Sequence, residues 1–572
     1  MYLVLLETSG NQRYIFSSNR LRENVGASEL VFCAGTQFVF KAVARALASR
    51  GHRWCGPDGA PSAREIRSFL RDPGGNPPAG SPGWSGVEFI QATSGKALLL
   101  VEDRDTAEAI VREATSLALT SAPGLDLTGV ISREFDFHGE GIKDIHRQVH
   151  TRLPLVRQAR PAPEHRFLRL PVVQECTTSG LPANGVDRRE GPVSVVTSRK
   201  IEASENGWKR MTQTAAPRRL FDDLNDLEAV LEDDASWVAL IHADGNGFGQ
   251  VFTNFGSHLS RHEGDWHSYN LQYVKDLREF SLALEEATEE AFRHALKEIP
   301  EVPVSDNGRK ADDCPVIPLV LGGDDVTVIC DARIAFPFIN TFLRAFEEET
   351  KARKICSLVT GWSNLSMAAG MAIVKPHFPF HLAYELAQQL LRSAKQVKQW
   401  GQQPPAPSAF DFHVLHDTSA ADLETIRTRL TRNEDGVRLY GGPYVLGDLP
   451  AGLGNRSWQR FRQRICAILR RDEETGRRCL PASQLHWLRE GLFHCSDEAD
   501  RRVRAILPRY ADKGLRDLLE DGESLFWDED GRRVTGFLDA MEAAGVWCDA
   551  CADTAVPTQG QGMAPAEGGA AS

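Results

Sequence analysis

The chain contains 572 residues and carries a formal net charge of −12, with 42% hydrophobic and 25% charged residues. These values are typical of a folded globular protein, and at roughly 100–200 residues per domain the length predicts three or four domains. The acidic balance argues against a protein that coats nucleic acid indiscriminately, which would be basic, although it is compatible with a local basic groove.

The first predicted unit, residues 1–139, follows the β-α-β-β-α-β order of a ferredoxin-like domain. Residues 140–235 form a connecting region that includes a charged helix near 218–231, and the pattern predicts no compact fold for it. The elements expected in the first unit are a strand at 2–7, a helix at 21–49, a loop rich in Gly, Pro and Ser at 56–85, a hairpin that turns at Thr93-Ser94-Gly95-Lys96, a helix at 106–119 and a strand at 127–135.

The second unit, residues 236–416, repeats this order of elements about 230 residues further along the chain. The repeat lies in the architecture rather than in matching residues. Its expected elements are a strand at 237–244, a Gly-rich turn, a helix at 268–296, a hairpin at 316–330, a helix at 332–350, a strand at 365–374, a helix at 379–398 and a strand at 409–415. The fold class is therefore predicted as α+β, with two ferredoxin-like palm domains.

The remaining residues are predicted to form a helical domain at 417–555 and a disordered tail at 556–572. The arginine-rich stretch 456–478 is interpreted as a solvated helix face rather than a nucleic-acid groove. Cys548 and Cys551 form a C-x-x-C pair, but with no second pair nearby two ordinary thiols are favoured over a zinc site.

The sequence also predicts where the protein resides. Its eleven cysteines show no framework spacing, Met1 leads into a strand rather than a signal peptide, and no apolar run approaches the ~18 residues of a membrane span. We therefore expect a cytoplasmic chain with reduced thiols that does not contact a membrane.

Two adjacent carboxylates stand at the tip of the second predicted hairpin, in the run Gly322-Gly323-Asp324-Asp325. The glycines permit a tight turn and let a phosphate approach the backbone. Neighbouring carboxylates repel each other unless a cation lies between them, and Mg²⁺ or Mn²⁺ prefers oxygen ligands. The tip therefore predicts a site for a divalent metal ion.

A second acidic residue, Asp244, ends an apolar strand and is followed by Gly245, Asn246 and Gly247. Backbone N–H groups in such a turn can hold a triphosphate. In this topology the first and third strands are neighbours, so Asp244, Asp324 and Asp325 are predicted to meet as a two-metal site for displacement at phosphorus. Lys395, at the end of a later helix, is predicted to neutralise phosphate charge at the same edge.

Each motif alone has a simpler interpretation. A Gly-Gly-Asp-Asp run is most often a solvated turn, and an Asp-Gly-Asn-Gly run is most often a turn or a calcium-type loop. Both motifs here follow apolar strands in the order that a palm domain requires, and this combination favours the catalytic interpretation.

With these residues in view, the chain resembles the polymerase–cyclase large subunit of type III CRISPR effector complexes, which carries two palm domains. GGDEF-type diguanylate cyclases are a poorer match, because the fourth residue of the tip is Asp here and no Glu-Phe follows it. The similar segments are Ala243–Gly249, Gly322–Asp325, Ser366–Lys395, Phe410–Leu415 and Tyr440–Leu446, with Gln12–Leu30 and Cys176–Ala183 in the earlier part of the chain.

The resemblance implies an enzyme that joins ATP molecules 3′–5′ into cyclic oligoadenylates, with guide or target RNA and effector subunits as partners.

The chain departs from the family at three places. The first palm carries Thr93-Ser94-Gly95-Lys96 where the second has its carboxylates, so we expect it to be non-catalytic and at most to bind the acceptor nucleotide. The usual zinc-binding cysteine pairs are missing, since Cys176 stands alone between the palms, and no HD nuclease is expected because the His416-Asp417 pair lacks a helical HD context.

Two other functions remain open at this point. A non-catalytic scaffold would bind RNA and partner subunits through palms whose metal site is vestigial. A diguanylate-cyclase-like enzyme or a non-cyclising polymerase would use the same carboxylates, and the sequence does not reveal whether the base is adenine or guanine.

Overall fold

The computed structural model describes residues 1–215, 237–253, 255, 265–299, 316–400, 405–416, 422–432, 436–447, 449, 453–472 and 474–547. Within these residues the architecture is α+β with two ferredoxin-like sheets, which confirms the predicted fold class. The charged helix expected near 218–231, the C-x-x-C pair at 548 and 551, and the tail at 556–572 lie outside the described residues.

The first sheet contains four antiparallel strands in the order β2-β3-β1-β4, which is the ferredoxin-like order. Its central strand β1 is apolar on both faces because helices cover it on either side. The strands are β1 (Tyr2–Ser9), β2 (Val87–Thr93), β3 (Lys96–Val101) and β4 (Asp126–Ile131).

Five helices accompany this sheet, and of these only the helix Arg104–Ser121 lies where a single helix was predicted. The helix expected at 21–49 is two helices, because Thr36 leaves helical geometry (φ −124°, ψ −88°). The stretch predicted as a loop contains a short helix, whose Ser62 and Glu65 form a capping box. The helices are α1 (Asn11–Ile15), α2 (Leu21–Gly35), α3 (Gln37–Ala48), α4 (Ala63–Arg71) and α5 (Arg104–Ser121).

The connecting region holds more structure than the sequence indicates. Two helices flank a small hairpin, and the first of them packs against the first sheet and against the second palm. These elements are α6 (Ile142–Gln158), β5 (Ala183–Asp187), β6 (Gly191–Ser194) and α7 (Val195–Ala215).

The second sheet has six strands in the order β14-β11-β10-β7-β9-β8. Its first four strands along the chain reproduce the antiparallel ferredoxin-like arrangement, and β11 then adds parallel to β10. The strands are β7 (Val238–Gly245), β8 (Val316–Gly322), β9 (Asp325–Asp331), β10 (Met367–Val374), β11 (Ala409–Val414) and, beyond the predicted boundary at 416, β14 (Tyr444–Val445).

The three helices predicted for the second palm lie close to their expected positions, and two short helices, at Phe248–Thr253 and Lys354–Thr360, were not predicted. The helices are α8 (Phe248–Thr253), α9 (Trp266–Glu298), α10 (Ala332–Ala352), α11 (Lys354–Thr360) and α12 (Phe380–Ala394).

The C-terminal part is not purely helical, contrary to the prediction. A four-stranded sheet in the order β12-β13-β16-β15 lies among its helices. Strands of two or three residues are too short to show an alternating pattern, so periodicity cannot predict them. The elements are α13 (Leu423–Arg429), β12 (Thr431–Arg432), β13 (Val437–Arg438), α14 (Trp458–Leu469), α15 (Ala482–His494), α16 (Ser496–Tyr510), β15 (Trp527–Glu529), β16 (Arg532–Val534) and α17 (Phe537–Val546).

The two palms contact each other through ion pairs and hydrogen bonds. Arg278 on α9 binds the buried Glu88 of β2, and Arg67 on α4 forms two hydrogen bonds of 2.8 and 3.0 Å with Glu289. At the other end of the interface, the Asn19 side chain accepts a hydrogen bond from the first N–H of α12 at 3.0 Å. These contacts hold the first palm beside the carboxylate end of the second sheet.

Among the described residues, the helical stretch Leu21–Ala48 is long and apolar enough to cross a membrane, judged only by its length and its mean hydropathy of 1.4. No such stretch was expected from the sequence. The stretch comprises α2 and α3, and 78% of its most apolar window is buried within the fold. Helices in a protein core pass the same test, so the stretch is weak support for a membrane span.

Candidate active site

The first and third strands of the second palm bring two of the predicted metal ligands side by side. β7 and β9 pair antiparallel, and Asp244 and Asp325 are the last partners of that ladder. Asp324 occupies the adjoining turn, where its backbone carbonyl accepts a hydrogen bond of 3.1 Å from Gly245 N–H. The three acidic residues therefore meet at one edge of the sheet.

The hairpin tip is formed by a tight turn at Gly322 and Gly323. Gly323 has φ +60°, the left-handed conformation that favours glycine. The Thr288 hydroxyl on α9 donates to the Gly323 carbonyl at 2.6 Å and anchors the turn. A Cβ atom at Gly323 would meet nothing within 4 Å, whereas one at Gly322 would lie 3.7 Å from Ser94 of the first palm. The tip thus has open space in front of it and the first palm beside it.

The surroundings of the two tip carboxylates disfavour their charged forms. Burial raises the pKa of Asp324, although its own backbone N–H and Lys96 oppose the shift. Burial and the neighbouring Asp324 charge raise the pKa of Asp325 to about 7. In the described part of the chain, Oδ1 of Asp325 has no hydrogen-bond partner, and the side chain is 35% exposed. A cation that reached this edge would therefore be strongly favoured.

A ring of polar side chains surrounds Asp325. Gln12 Nε2 donates to Asp325 Oδ2 at 3.4 Å, and the Tyr384 hydroxyl lies 3.1 Å from His242 Nε2. His242 Nδ1 lies 3.2 Å from the Thr327 hydroxyl and 3.5 Å from Asp325 Oδ1. Because burial lowers the pKa of His242 to about 4, the last contact is not an ion pair between charged groups.

Lys395 reaches the site because α12 lies unusually close to the sheet. A Cβ atom at Gly370 would overlap the backbone of Ala387 and Leu391, so only glycine lets the helix approach β10 this closely. The helix then delivers Lys395, whose ammonium group forms an ion pair with Asp244. The lysine is predicted to neutralise phosphate, and in this structure its partner is the carboxylate of Asp244.

The turn after Asp244 differs from its predicted role. The N–H groups of Gly245 and Asn246 donate to the carbonyls of Asp324 and Ser366, so they are not available to hold a triphosphate. The Asn246 amide also donates to the Ser366 hydroxyl at 3.0 Å, while its buried carbonyl oxygen has no hydrogen-bond partner among the described residues. Two of the three N–H groups predicted to hold a triphosphate are therefore already bound within the protein, and their role in phosphate binding stays a prediction.

The donor set fits a hard divalent ion only in part. Asp324 and Asp325 offer oxygen ligands, including the unpartnered Oδ1, which suit Mg²⁺ or Mn²⁺. Asp244 would have to exchange Lys395 for the ion. Within the described ranges no group of three or more His, Cys, Asp or Glu side chains is already gathered closely enough to hold a metal. The arrangement therefore supplies ligands that the ion itself would have to draw together.

Three residues of the site were not predicted from the sequence. His242 stands two residues before Asp244 on a strand, so the alternation of side chains places both on one face and could have revealed it. Tyr384 and Gln12 belong to other elements, and Gln12 comes from the first palm. The sequence shows no signal for their approach.

Comparison with known proteins agrees with this geometry. Residues 237–401 match the family described as Cas10/Cmr2, second palm domain, and this range contains Asp244, Asp324, Asp325 and Lys395. No curated protein matches the sequence.

Several solved structures share the fold at low sequence identity. The Csm1-Csm4 cassette in complex with cA3 is 13% identical with a TM-score of 0.50, over 95% of this chain and 69% of that one. Csm1 from T. onnurineus is 12% identical with a TM-score of 0.49, over 96% of this chain and 70% of that one. The cassette in complex with AMPPNP is 12% identical with a TM-score of 0.47, over 91% of this chain and 64% of that one, so the chain spans about two thirds of its length.

At these identities the structural likeness establishes the fold alone. Residues 237–401 are similar to the second palm domain of Cas10/Cmr2, and the chain as a whole has a fold like that of Csm1 in the Csm1-Csm4 cassette.

Proposed function

We propose that this chain is a metal-dependent nucleotidyl cyclase that joins ATP molecules 3′–5′ into cyclic oligoadenylates, as part of an RNA-guided defence complex in the cytoplasm. The observation that supports this most is the pairing of Asp244 with Asp325 at the end of the β7–β9 ladder, next to Asp324 in the turn. Three carboxylates at one sheet edge would destabilise a turn with a purely structural role, because their negative charges repel one another.

The three carboxylates would hold Mg²⁺ or Mn²⁺, which when bound supplies charge neutralisation and activation of a hydroxyl group. In the reaction the 3′-oxygen of one nucleotide forms a bond to the α-phosphorus of the next. The bond to the β-phosphate oxygen breaks, and pyrophosphate leaves with the electron pair. The protein's part is to position the reacting groups and to balance their charge.

The protein's own residues divide this work. Lys395 neutralises Asp244 before the substrate arrives and becomes available to phosphate oxygens once Asp244 changes partner. The ring of Gln12, Tyr384 and His242 fixes the orientation of Asp325. Gly323 leaves space at the tip for the phosphates to approach.

A non-catalytic scaffold is the second candidate. The ion pair between Lys395 and Asp244 favours it, because a vestigial site would keep its carboxylate neutralised in this way. Nucleotide binding without any turnover, including in the presence of target RNA and partner subunits, would support the scaffold and contradict the cyclase.

The deciding experiment incubates the full chain, alone and assembled with guide and target RNA, with ATP and Mn²⁺ or Mg²⁺ and identifies the products by mass. Replacement of both Asp324 and Asp325 by Ala should reduce product at least about 100-fold, since such residues act as a unit. The matched control replaces Asp528 and Asp530, at the turn between β15 and β16, and should keep full activity. Parallel reactions with GTP report the base that the enzyme selects.

A further inference from the structure

The first helix of the C-terminal part lies against the end of the helix that delivers Lys395. At the start of α13, the Leu423 N–H donates to Gln389 Oε1 on α12 at 2.7 Å. One turn further along each helix, Arg427 Nη1 donates to Ser393 Oγ at 2.7 Å. Gln389 and Ser393 are four residues apart, so they share one face of α12. The helix α13 therefore holds the last two turns of α12 along that face.

Arg427 is itself fixed by two further contacts. Its guanidinium group forms an ion pair with Asp411 of β11 and lies over the ring of Tyr440, 4.5 Å from the ring centroid. The side chain of Asp411 is only 2% exposed, and that of Arg427 is 20% exposed. A planar guanidinium group that is bonded at both ends has little freedom to move. The contact with Ser393 therefore comes from a rigid group and not from a mobile surface side chain.

Ser393 lies at the point where α12 ends. It is 4% exposed and stands two residues before Lys395, from which the chain continues as a 3-10 turn over Lys395–Gln399. Helix ends lack part of their hydrogen bonding and fray, and a lysine adds a flexible four-carbon stem. The ammonium group of Lys395 nevertheless has to reach Asp244, with which it forms an ion pair. A fixed last turn limits the positions that this ammonium group can occupy.

We propose that Arg427 is a positioning residue for Lys395: by binding Ser393 it fixes the last turn of α12 and so directs the ammonium group of Lys395 towards Asp244 and the phosphates of ATP. The inference rests on the proposed function, because it concerns how the charge of the substrate is balanced. The C-terminal part thereby contributes to the active site. A displacement of α13 would change how Lys395 divides between carboxylate and phosphate.

The test uses Ser393→Ala, which removes the contact but leaves Arg427 its ion pair with Asp411. Calorimetry measures the binding of ATP and, separately, of Mn²⁺ to the full chain. A misplaced Lys395 neutralises both Asp244 and phosphate less well, so the affinity for ATP should fall about 2- to 10-fold while the affinity for Mn²⁺ rises. A variant that only loosened the fold would lower both affinities, so the opposite signs identify positioning.

Two further variants accompany this one. Ser357→Ala is the matched control, because it makes the same chemical change at an exposed position on α11, where the hydroxyl donates to the Lys354 carbonyl at 3.0 Å. It should bind both ligands normally. Arg427→Lys keeps a positive charge beside Asp411 but lacks the planar fork that reaches Ser393. It should therefore show the same opposite changes in affinity as Ser393→Ala.

A double-mutant cycle shows whether the effect passes through Lys395. In the Lys395→Met background, Ser393→Ala should change the affinity for ATP by less than about twofold, because the group that it positions is gone. The inference is wrong if the two effects add in full, or if Ser393→Ala alone changes neither affinity or lowers both. Turnover is measured separately. A chain that shows this cycle but makes no product would contradict the cyclase alone, and an active chain with an additive cycle would contradict the positioning role alone.

Discussion

Gln12 of the first palm donates a hydrogen bond of 3.4 Å to Oδ2 of Asp325 in the second palm. Nearby, Phe16 of the first palm stacks on Tyr384 of α12, with ring centroids 4.8 Å apart. The orientation of a proposed metal ligand is therefore tied to the placement of the neighbouring palm. A partner that shifts one palm against the other would change the geometry of this carboxylate.

We predict that Gln12→Leu lowers kcat about 2- to 10-fold and raises the concentration of Mn²⁺ or Mg²⁺ needed for half-maximal activity. The change removes one hydrogen bond to a carboxylate, a loss of about 0.5–1.5 kcal/mol, while preserving the size of the side chain. Steady-state kinetics over a metal titration measures both effects.

The control for this prediction is Gln213→Leu, at an exposed position on α7. It should leave the metal titration unchanged. A Gln12→Leu protein with normal metal dependence and a lowered melting temperature would indicate that Gln12 only stabilises the interface.

Lys395→Met should separate the two roles that this residue can have. Without the ammonium group, Asp244 has no competing cation, so the apparent affinity for Mn²⁺ should rise. The KM for ATP should also rise, about tenfold, because a positive charge on the phosphates is lost. Metal and ATP titrations of the same preparation measure the two changes.

Lys398→Met is the matched control, since Lys398 follows one turn later and its side chain is exposed. It should alter neither titration. If Lys395→Met instead weakened metal binding and left the KM for ATP unchanged, the ion pair with Asp244 would be a structural support for that carboxylate alone.

Much of the fold could be predicted because the second palm shows its periodicity plainly. The apolar run before Asp244 and the long helix α9 are both readable from the sequence, and their order places Asp244 beside Asp325. The predicted fold class is confirmed, whereas the division into domains and the roles of the site residues remain predictions.

The interpretation of the arginine-rich stretch shows where sequence patterns fail. It was predicted as a solvated helix face, yet Arg456 and Arg464 are 1% and 0% exposed. Arg456 binds Glu529, and Arg464 binds Glu520 at 2.6 Å. Both glutamates follow much later in the chain, so no local pattern could reveal that these charges are paired inside the protein.

A histidine pair gives a second example. The four-residue spacing of His146 and His150 is compatible with an amphipathic surface helix, but His146 is 3% exposed and lies 2.8 Å from the Tyr273 hydroxyl on α9. The helix face that holds them is covered by the other palm. Periodicity predicts which residues share a face, and only tertiary packing decides what covers that face.

Gly370→Ala should disturb the site from a distance. The added methyl group overlaps the backbone of α12, so the helix must move away from β10 at a cost of about 1–3 kcal/mol. Because α12 delivers Lys395, the melting temperature and the activity should fall together. Thermal unfolding and ATP turnover of the same variant measure this.

Gly545→Ala is the opposite case and serves as the control. Gly545 lies inside α17, and an added Cβ would meet nothing within 4 Å. Alanine favours a helix over glycine by roughly 0.5–1 kcal/mol, so this variant should be slightly more stable. A stable and fully active Gly370→Ala protein would show that α12 can approach the sheet without glycine.

Asp539 lies at the junction between the C-terminal part and the second palm. Its Oδ2 accepts hydrogen bonds from the Tyr444 hydroxyl at 2.6 Å and from the backbone N–H groups of Gly441 and Gly442 at 2.8 and 3.2 Å. Burial raises the pKa of Asp539 to about 6, with Asp411 adding to the shift and these hydrogen bonds and Arg427 opposing it.

This shift predicts how stability depends on pH. The Asp539 carboxyl group binds its proton more tightly in the folded state than in the unfolded state, where an Asp has a pKa of about 3.9. The stabilisation that protonated Asp539 provides is therefore complete below pH 3.9 and is lost as the pH rises through 6. A difference of about two pKa units between the folded and unfolded states corresponds to roughly 3 kcal/mol in the free energy of unfolding. Asp539→Asn does not ionise, so its stability relative to the parent should increase between pH 4 and pH 7. Thermal unfolding of both proteins across this range measures the difference. If the stability of the Asn variant relative to the parent stays constant or falls as the pH rises, the pKa of Asp539 is not raised.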